Sequence, residues 1–291
     1  MRGRRWLMAP LGLFDLMRCP NGRPPWILVV ADYYLLGDES GTHNAAIATL
    51  VAGYLATKAD WLASNGIWNR AHREARLEKV FHMTDFVCRD HEDYAHLTPP
   101  EKRMLIQALV DGILHRPKVG FIAALSRQGY DAVMLHETKK RIRDPYYFAL
   151  QLFIKIVLSR APELLQPGDR IVVIFDRRND EDRAKAAYRE MRQGGHDPHG
   201  FLYPDCFFMK KQDMPHLIAA DILANGAGRF LGKTGLRMKR AEEPQFYRLL
   251  AARQRSVPHH WKYYDRVMLE TEQARWIKEG TIKLRPPRAT S

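Results

Sequence analysis

One segment constrains the fold more than any other: residues 170–176 read RIVVIFD, five consecutive apolar residues that end in an acid. Such a run is typical of a central strand that is covered on both faces. Further strands are predicted at 33–38, 45–55 and 119–125. Because helix-like segments alternate with the later strands, the sequence predicts an α/β fold with a mixed sheet flanked by helices.

Local signals place the elements around this strand. The turn-rich segment 38–44 predicts a hairpin between the first two strands. Thr98 followed by Pro99 predicts a capped helix that runs to about His115. Further helices are predicted at 60–77, 144–158, 180–191 and 213–230, a strand at 201–209, and a basic, helical remainder after residue 230.

The net charge of +13 comes from 46 lysines and arginines against 33 acids, and it is unevenly distributed. Residues 1–31 carry +4, residues 32–231 carry +1, and residues 232–291 carry +8. We therefore expect a poorly ordered basic leader, a near-neutral core domain and a basic, mainly helical C-terminal extension. The basic flanks favour an anionic partner, with nucleic acid first and an acidic membrane surface second.

The cysteines and the hydropathy of the chain indicate the cellular compartment. Cys19, Cys88 and Cys206 are odd in number and widely spaced, which favours a reducing, cytoplasmic setting. No apolar run approaches the roughly 20 residues that a membrane-spanning helix needs. The sequence does not indicate whether the chain also binds another protein.

Three acids lie in apolar segments, at positions that suit a functional site. Asp38 ends the first strand, Asp176 ends the strand described above, and Asp221 lies inside the apolar run LIAADILA. A buried carboxylate needs a cation or a donor. If the three converge, a divalent ion relieves their repulsion, and hard oxygen ligands suit Mg²⁺ or Mn²⁺.

Each acid alone also has an ordinary structural explanation. Asp176 is followed by two arginines that could pair with it, and one salt bridge would satisfy Asp221. Glu39 ranks below Asp38, since alternate strand residues point to opposite faces. Asp213 is better explained as a helix N-cap than as a metal ligand.

Four stretches, in order, resemble the domain-of-unknown-function 3800 family: YYLLGDESG at 33–41, KVFH at 79–82, VVIFD at 172–176 and LIAADILA at 217–224. The resemblance spans roughly residues 32–230 and implies a ribonuclease H-like fold and a metal-dependent nuclease. It also implies that Asp38, Asp176 and Asp221 are catalytic metal ligands, with His82 as a further ligand or proton-transfer group. Ile218 departs from the family pattern, where a glutamine is usual.

Two functions are therefore predicted. The first is a nuclease that hydrolyses phosphodiester bonds with Mg²⁺ or Mn²⁺ held by the carboxylates. The alternative is a catalytically silent nucleic-acid-binding or interaction module on the same fold, since cations and aromatic rings contact phosphates and bases. The residues predicted to bind nucleic acid are Lys233, Arg237, Lys239, Arg240, Trp261 and Lys262.

Overall fold

The computed structural model describes residues 33–42, 46–88, 91–116, 118–134, 139, 144–234 and 258–278. A six-stranded mixed sheet, in the order β5-β4-β1-β2-β3-β6, forms its centre. The first three strands are antiparallel neighbours, whereas β4 is parallel to β1, β5 to β4 and β6 to β3. The strands are β1 Tyr33–Ser40, β2 Ala48–Thr57, β3 Val119–Ser126, β4 Ile171–Asp176, β5 Phe207–Met209 and β6 His259–Tyr264.

Helices cover both faces of this sheet. Those of the described residues are α1 Lys58–Ala63, α2 Asn65–Glu74, α3 Met83–Val87, α4 Pro99–Leu114, α5 Arg127–Val133, α6 Pro145–Leu164, α7 Glu181–Met191, α8 Leu217–Thr234 and α9 Arg266–Lys278. Side chains of α2, α4 and α8 share one apolar core with one face of the sheet. Side chains of α5, α6, α7 and α9 share a second core with the other face. The predicted α/β class, with a mixed sheet flanked by helices, is confirmed.

Strand alternation decides which core each residue joins. On β4, Val172 and Ile174 belong to the core that contains α8, and Phe175 belongs to the core that contains α6. Tyr34 and Leu36 on β1 follow the same parity. Side chains two residues further along each strand therefore also face α8.

Most predicted elements lie where the sequence placed them. The hairpin of β1 and β2 is present, and Thr98 caps α4 in a capping box with Glu101. The predicted helix at 60–77 is divided at Ser64, whose hydroxyl donates to the Gly112 carbonyl at 2.7 Å. The predicted strand at 201–209 is reduced to the three residues of β5.

The predicted helical character of the remainder after residue 230 is wrong at residues 259–264. These residues form β6, which pairs in parallel with β3 at the edge of the sheet. Helix α9 follows β6, in agreement with the helical character predicted for this part of the chain. Part of the basic C-terminal segment therefore belongs to the same sheet as the core.

Several predictions fall outside the described residues. These include the basic leader 1–31 and residues 235–257 and 279–291 of the predicted extension. Within the described part of the chain, none of the helices combines the length and the apolar character that crossing a membrane would require.

Candidate active site

Asp38 and Asp176 come together because β1 and β4 are parallel neighbours in register. Gly37 pairs with Phe175, so the next residue of each strand lies at the same edge of the sheet. Both aspartates have the strand parity that faces α8. The Oδ1 atoms of Asp38 and Asp176 accept hydrogen bonds from the following backbone N–H groups, at 2.8 and 2.9 Å, which leaves each Oδ2 free to point elsewhere.

Helix α8 carries the third acid to the same place. It packs against β1 and β2 with an apolar face that includes Leu217, Ala224 and Gly228. At Gly228 a Cβ atom would lie 2.6 Å from the Ser40 hydroxyl oxygen, so glycine permits a close approach to the end of β1. Asp221 lies on this face, one helical turn from both Leu217 and Ala224.

The three acids surround one cation, the ammonium of Lys211. Its Nζ lies 3.0 Å from Asp38 Oδ2, 2.8 Å from Asp176 Oδ2 and 3.4 Å from Asp221 Oδ2. We call these four residues the carboxylate cluster. Lys211 follows β5 by two residues, and β5 pairs with β4 through Met209 and Asp176. The structure therefore brings the predicted acids together around a residue that the sequence analysis missed.

Burial and mutual charge shape the titration of this cluster. Burial raises the pKa of Asp38 well above its usual range, and Asp221, Glu39 and Asp176 add to the increase while Lys211 opposes it. Burial lowers the pKa of Lys211, but the three carboxylates outweigh burial, so that pKa is raised overall. The ammonium form of Lys211 is thus the charge that makes the buried carboxylates of Asp38 and Asp221, beside the half-buried one of Asp176, tolerable.

Glu39 lies on the opposite side of the strand from Asp38. Its Oε1 accepts a hydrogen bond from Arg178 at 2.6 Å, and Arg178 also pairs with Asp180 at 2.7 Å. The Arg178 guanidinium stacks on Tyr146, 3.6 Å from the ring centroid. Burial raises the pKa of Glu39, and Arg178 opposes this. Glu39 therefore belongs to an arginine-centred network that adjoins the carboxylate cluster.

His82 lies beside the cluster without contacting Lys211. The next residue, Met83, donates its backbone N–H to Asp221 Oδ2 at 2.8 Å. The His82 ring is directed elsewhere, with Nδ1 3.1 Å from Asp85 Oδ2. His82 is therefore tied to the candidate site through the backbone, and its side chain belongs to a neighbouring group of acids and histidines.

A cleft of about 650 Å³ joins these regions. Asp176 and Lys211 form part of its wall, and His82 and Asp85 form another part. Basic side chains outnumber acids around it: Lys79, Arg177, Arg178, Lys210 and Lys211 against Asp85, Asp93 and Asp176. An anionic ligand would therefore meet favourable charge on its way to the carboxylates.

Other predicted site residues lie away from this cleft or outside the described chain. Helix α8 begins at Leu217, so Asp213 is not its N-cap as predicted; it is exposed in the turn that carries Lys211. Trp261 and Lys262 lie on β6, three strands from β1, where Trp261 packs against Phe230. The structure thus does not bring this pair to the carboxylates. Lys233 lies in the last turn of α8, and Arg237, Lys239 and Arg240 lie outside the described residues.

The carboxylate cluster was tested for its fit to Mg²⁺ or Mn²⁺. The donors suit such ions, since three carboxylate oxygens are directed at one point. The Lys211 ammonium occupies that point, with Nζ 2.8–3.4 Å from the three carboxylate oxygens. Mg²⁺ and Mn²⁺ bind oxygen ligands at a shorter distance, about 2.1 Å. The acids therefore suit a divalent ion in chemistry and direction. Their donor oxygens do not all lie within 4.8 Å of one another, so an ion would need Lys211 to leave that point and the acids to draw closer.

A second group, Asp85, His91 and Asp93, could also hold a metal ion. Within the described residues, it is the set of three ligand-type side chains whose donor atoms all lie within 4.8 Å of one another. None of the three was predicted from the sequence as a ligand.

Comparison of the chain with protein-family models, with curated proteins and with solved structures gives no match. Any functional assignment therefore depends on the residues and on their geometry.

Proposed function

We propose that this protein is a metal-dependent nuclease that hydrolyses phosphodiester bonds on a ribonuclease H-like fold, related to the domain-of-unknown-function 3800 family. The observation that carries the proposal is the convergence of Asp38, Asp176 and Asp221 on one point. Two strand ends and one helix supply these acids, as the resemblance implies. Rigid elements hold them, which is how a catalytic site keeps its geometry.

The three aspartates would hold Mg²⁺ or Mn²⁺. Such an ion, when bound, activates a water molecule and stabilises the leaving oxygen of a phosphodiester. Backbone N–H groups already orient Asp38 and Asp176 through Oδ1, and the Met83 N–H orients Asp221 through Oδ2.

Basic side chains of the cleft would bind the phosphates. Arg177, Arg178 and Lys210 line it beside Asp176, and Lys79 lines its opposite part. Arg178 is held in place by Glu39 and Asp180, so its position needs little reorganisation on binding. His82, on the same cleft, is placed to exchange a proton at Nε2 while Nδ1 faces Asp85.

The partner would be a nucleic acid. The formal charge of +13 resides mainly in the flanks of the core, which fits sequence-independent attraction to phosphates. Lys233, Arg237, Lys239 and Arg240 remain candidates for that role, and Lys262 is exposed on β6.

A second candidate function is a catalytically silent binding module. The observation that favours it is Lys211, whose ammonium already pairs with all three acids. In that case the cluster is a structural ion-pair network, and the cleft and basic flanks act without a metal.

The test is hydrolysis of single- and double-stranded DNA and RNA by the full chain with Mg²⁺ or Mn²⁺. We expect activity that a chelator abolishes and that Asp176→Asn lowers by about 100-fold or more, since even indirect support of a metal site is worth about 10–100-fold. Asp182→Asn, at an exposed position of α7, is the matched control and should leave activity unchanged.

Equal activity in wild type and Asp176→Asn, or no hydrolysis of any of these substrates, would contradict the nuclease proposal. Binding that needs no divalent ion and survives Asp38→Asn, Asp176→Asn and Asp221→Asn together would support the silent module.

A further inference from the structure

The segment after Phe81 gathers a second set of metal-ligating side chains on the cleft. Asp85 Oδ1 lies 3.6 Å from His91 Nε2, and Asp93 Oδ2 lies 3.7 Å from His91 Nδ1. On the other side of Asp85, Oδ2 lies 3.1 Å from His82 Nδ1. Both acids line the cleft, together with Asp176 and Lys211.

The chain folds so that these residues meet. Tyr94 is buried, and its hydroxyl accepts a hydrogen bond from the His82 backbone N–H at 2.9 Å. This contact joins the two ends of the segment, since Tyr94 directly follows Asp93. The ring of Tyr94 packs edge-on against Phe81 and Phe86, which anchors the segment in the apolar core. Core packing thus fixes the described residues on both sides of this segment.

The contacts within the group resemble those of neighbouring ligands more than those of hydrogen-bonded pairs. Nδ1 of His82 and Nδ1 of His91 are shielded from solvent, yet neither makes a hydrogen bond. Ligands of one ion lie close together without pointing at one another, because each points at the ion. In a tetrahedral site with bonds of about 2.1 Å, neighbouring ligand atoms are about 3.4 Å apart. The separations from His91 to Asp85, 3.6 Å through Nε2, and to Asp93, 3.7 Å through Nδ1, are each close to this spacing. One donor atom from each of Asp85, His91 and Asp93 lies within 4.8 Å of the other two, so a small turn of the acid that faces the other nitrogen brings the three to one ion.

We infer that Asp85, His91 and Asp93 bind a divalent transition-metal ion of the Zn²⁺ type. A mixed imidazole and carboxylate donor set favours such ions, whereas Mg²⁺ prefers oxygen alone. Three protein ligands leave a fourth position for water or for a ligand in the cleft. This site is distinct from the carboxylate cluster, although the Met83 N–H links its segment to Asp221.

Lys79 supplies an internal competitor for the ion. Its ammonium lies 2.9 Å from Asp93 Oδ1, and the Lys79 side chain is exposed. A metal ion at Asp93 must share that carboxylate with Lys79 or displace it. Removal of the lysine charge should therefore tighten metal binding.

The test is calorimetric titration of the chelator-stripped full chain with Zn²⁺ and, separately, with Mg²⁺. We expect one tight Zn²⁺ site that binds Mg²⁺ at least about 100-fold more weakly. His91→Ala should weaken Zn²⁺ binding by about 100-fold or more, since even outer partners of a ligand are worth about 10–100-fold. Lys79→Ala should tighten binding several-fold.

The matched controls separate this site from the carboxylate cluster and from ordinary histidine binding. Asp176→Asn and His199→Ala, the latter at an exposed histidine outside the cleft, should leave the tight Zn²⁺ site unchanged. Substitution of Co²⁺ provides a readout that does not depend on variants, since tetrahedral Co²⁺ absorbs strongly in the visible. We expect that absorption in the wild-type chain and its loss in His91→Ala.

The inference is overturned if the wild-type chain has no tight Zn²⁺ site. It is equally overturned if His91→Ala binds Zn²⁺ as wild type does, or if His199→Ala weakens binding as much as His91→Ala. Failure of this inference can be distinguished from failure of the nuclease proposal. The Zn²⁺ titration needs no substrate, and we expect Asp176→Asn to bind Zn²⁺ as wild type does.

Discussion

Two lysines are buried among the described residues, and their surroundings give them opposite character. Lys211 meets three carboxylates, and its pKa is raised. Lys118, which is 1% exposed, donates to the Ser64 hydroxyl at 3.1 Å and lies over the Trp61 ring. Burial lowers the pKa of Lys118 to about 8, and the charge of Asp60 offsets this only in part. The same side chain is thus a fixed cation in one place and a titrating group in the other.

This difference shows where the molecule maintains charge at a cost in stability. A buried ammonium with one neutral acceptor destabilises the fold, whereas one among carboxylates is held by them. Charges gathered at a sheet edge, next to a cleft, are the arrangement typical of a functional site. Lys118 lies in the packed core beside Trp61 and Ser64, and it is not among the residues that line the cleft.

Removal of the Lys211 charge should have the largest effect on stability. Lys211→Met leaves two buried carboxylates and one half-buried carboxylate without their cation. Loss of one partner from a buried ion pair costs about 3–5 kcal/mol. We expect that loss in the free energy of urea unfolding, measured with a chelator present. Added Mn²⁺ should restore part of it, because the ion would replace the ammonium.

Lys210→Met is the matched control, since Lys210 is the exposed neighbour of Lys211. It should change stability by less than about 0.5 kcal/mol. Equal stability of Lys211→Met and wild type would contradict the described ion pairing.

Removal of the Lys118 charge should stabilise the fold, the opposite of the effect expected at Lys211. The folded-state pKa of about 8 lies below the ordinary 10.5, so the unfolded chain binds more protons between these values. The Lys118 contribution to stability therefore rises with pH from about 8 to 10.5 and is smallest below pH 8. Lys118→Met should be more stable than wild type at pH 7 by up to about 3 kcal/mol. In urea unfolding, the difference in unfolding free energy between Lys118→Met and wild type should shrink towards pH 10.5. A difference that is the same at pH 7 and pH 10.5 would contradict the lowered pKa of Lys118.

Removal of the Ser64 hydroxyl should have a smaller effect that depends on Lys118. Ser64 accepts from Lys118 and donates to the Gly112 carbonyl at 2.7 Å. Ser64→Ala leaves both buried groups unpaired, which costs about 2 kcal/mol in the wild-type background. In the Lys118→Met background the cost should fall below about 1 kcal/mol, as a double-mutant cycle would measure. An equal cost in both backgrounds would mean that the two side chains do not interact.

The sequence allowed the acids to be predicted because each lies on a regular element. An apolar strand that ends in an acid, or one acid in an apolar helix, is a local pattern. Acids at the ends of adjacent strands can converge, and a packed helix can bring a third to the same edge. Strand parity ranked Glu39 below Asp38. The α/β class and the hairpin of β1 and β2 followed from similar local signals.

Lys211 could not be predicted in this way. It lies in a turn after the three-residue strand β5, and only the pairing of β5 with β4 carries it to the acids. Its local sequence, MKKQDM, reads as an ordinary polar turn. The one available signal was a basic pair between an apolar strand and an apolar helix.

Strand β6 was mistaken for a helix for a related reason. The sequence HHWKYY has no continuous apolar run, and its partner, β3, lies more than 130 residues earlier in the chain. Gly120 leaves room on β3 for the His259 ring, and Tyr54 contacts the His259 Nε2 at 3.0 Å. These long-range contacts outweigh the weak local preference.

We propose that the carboxylate cluster is a divalent-cation site at which Lys211 holds the position of the ion. Anomalous diffraction at the manganese edge, from crystals of the full chain grown with Mn²⁺, tests this most directly. We predict a peak about 2.2 Å from the Oδ2 atoms of Asp38, Asp176 and Asp221, with the Lys211 ammonium moved off that point. Lys211 still paired with all three acids in Mn²⁺, with no peak beside them, would contradict the account.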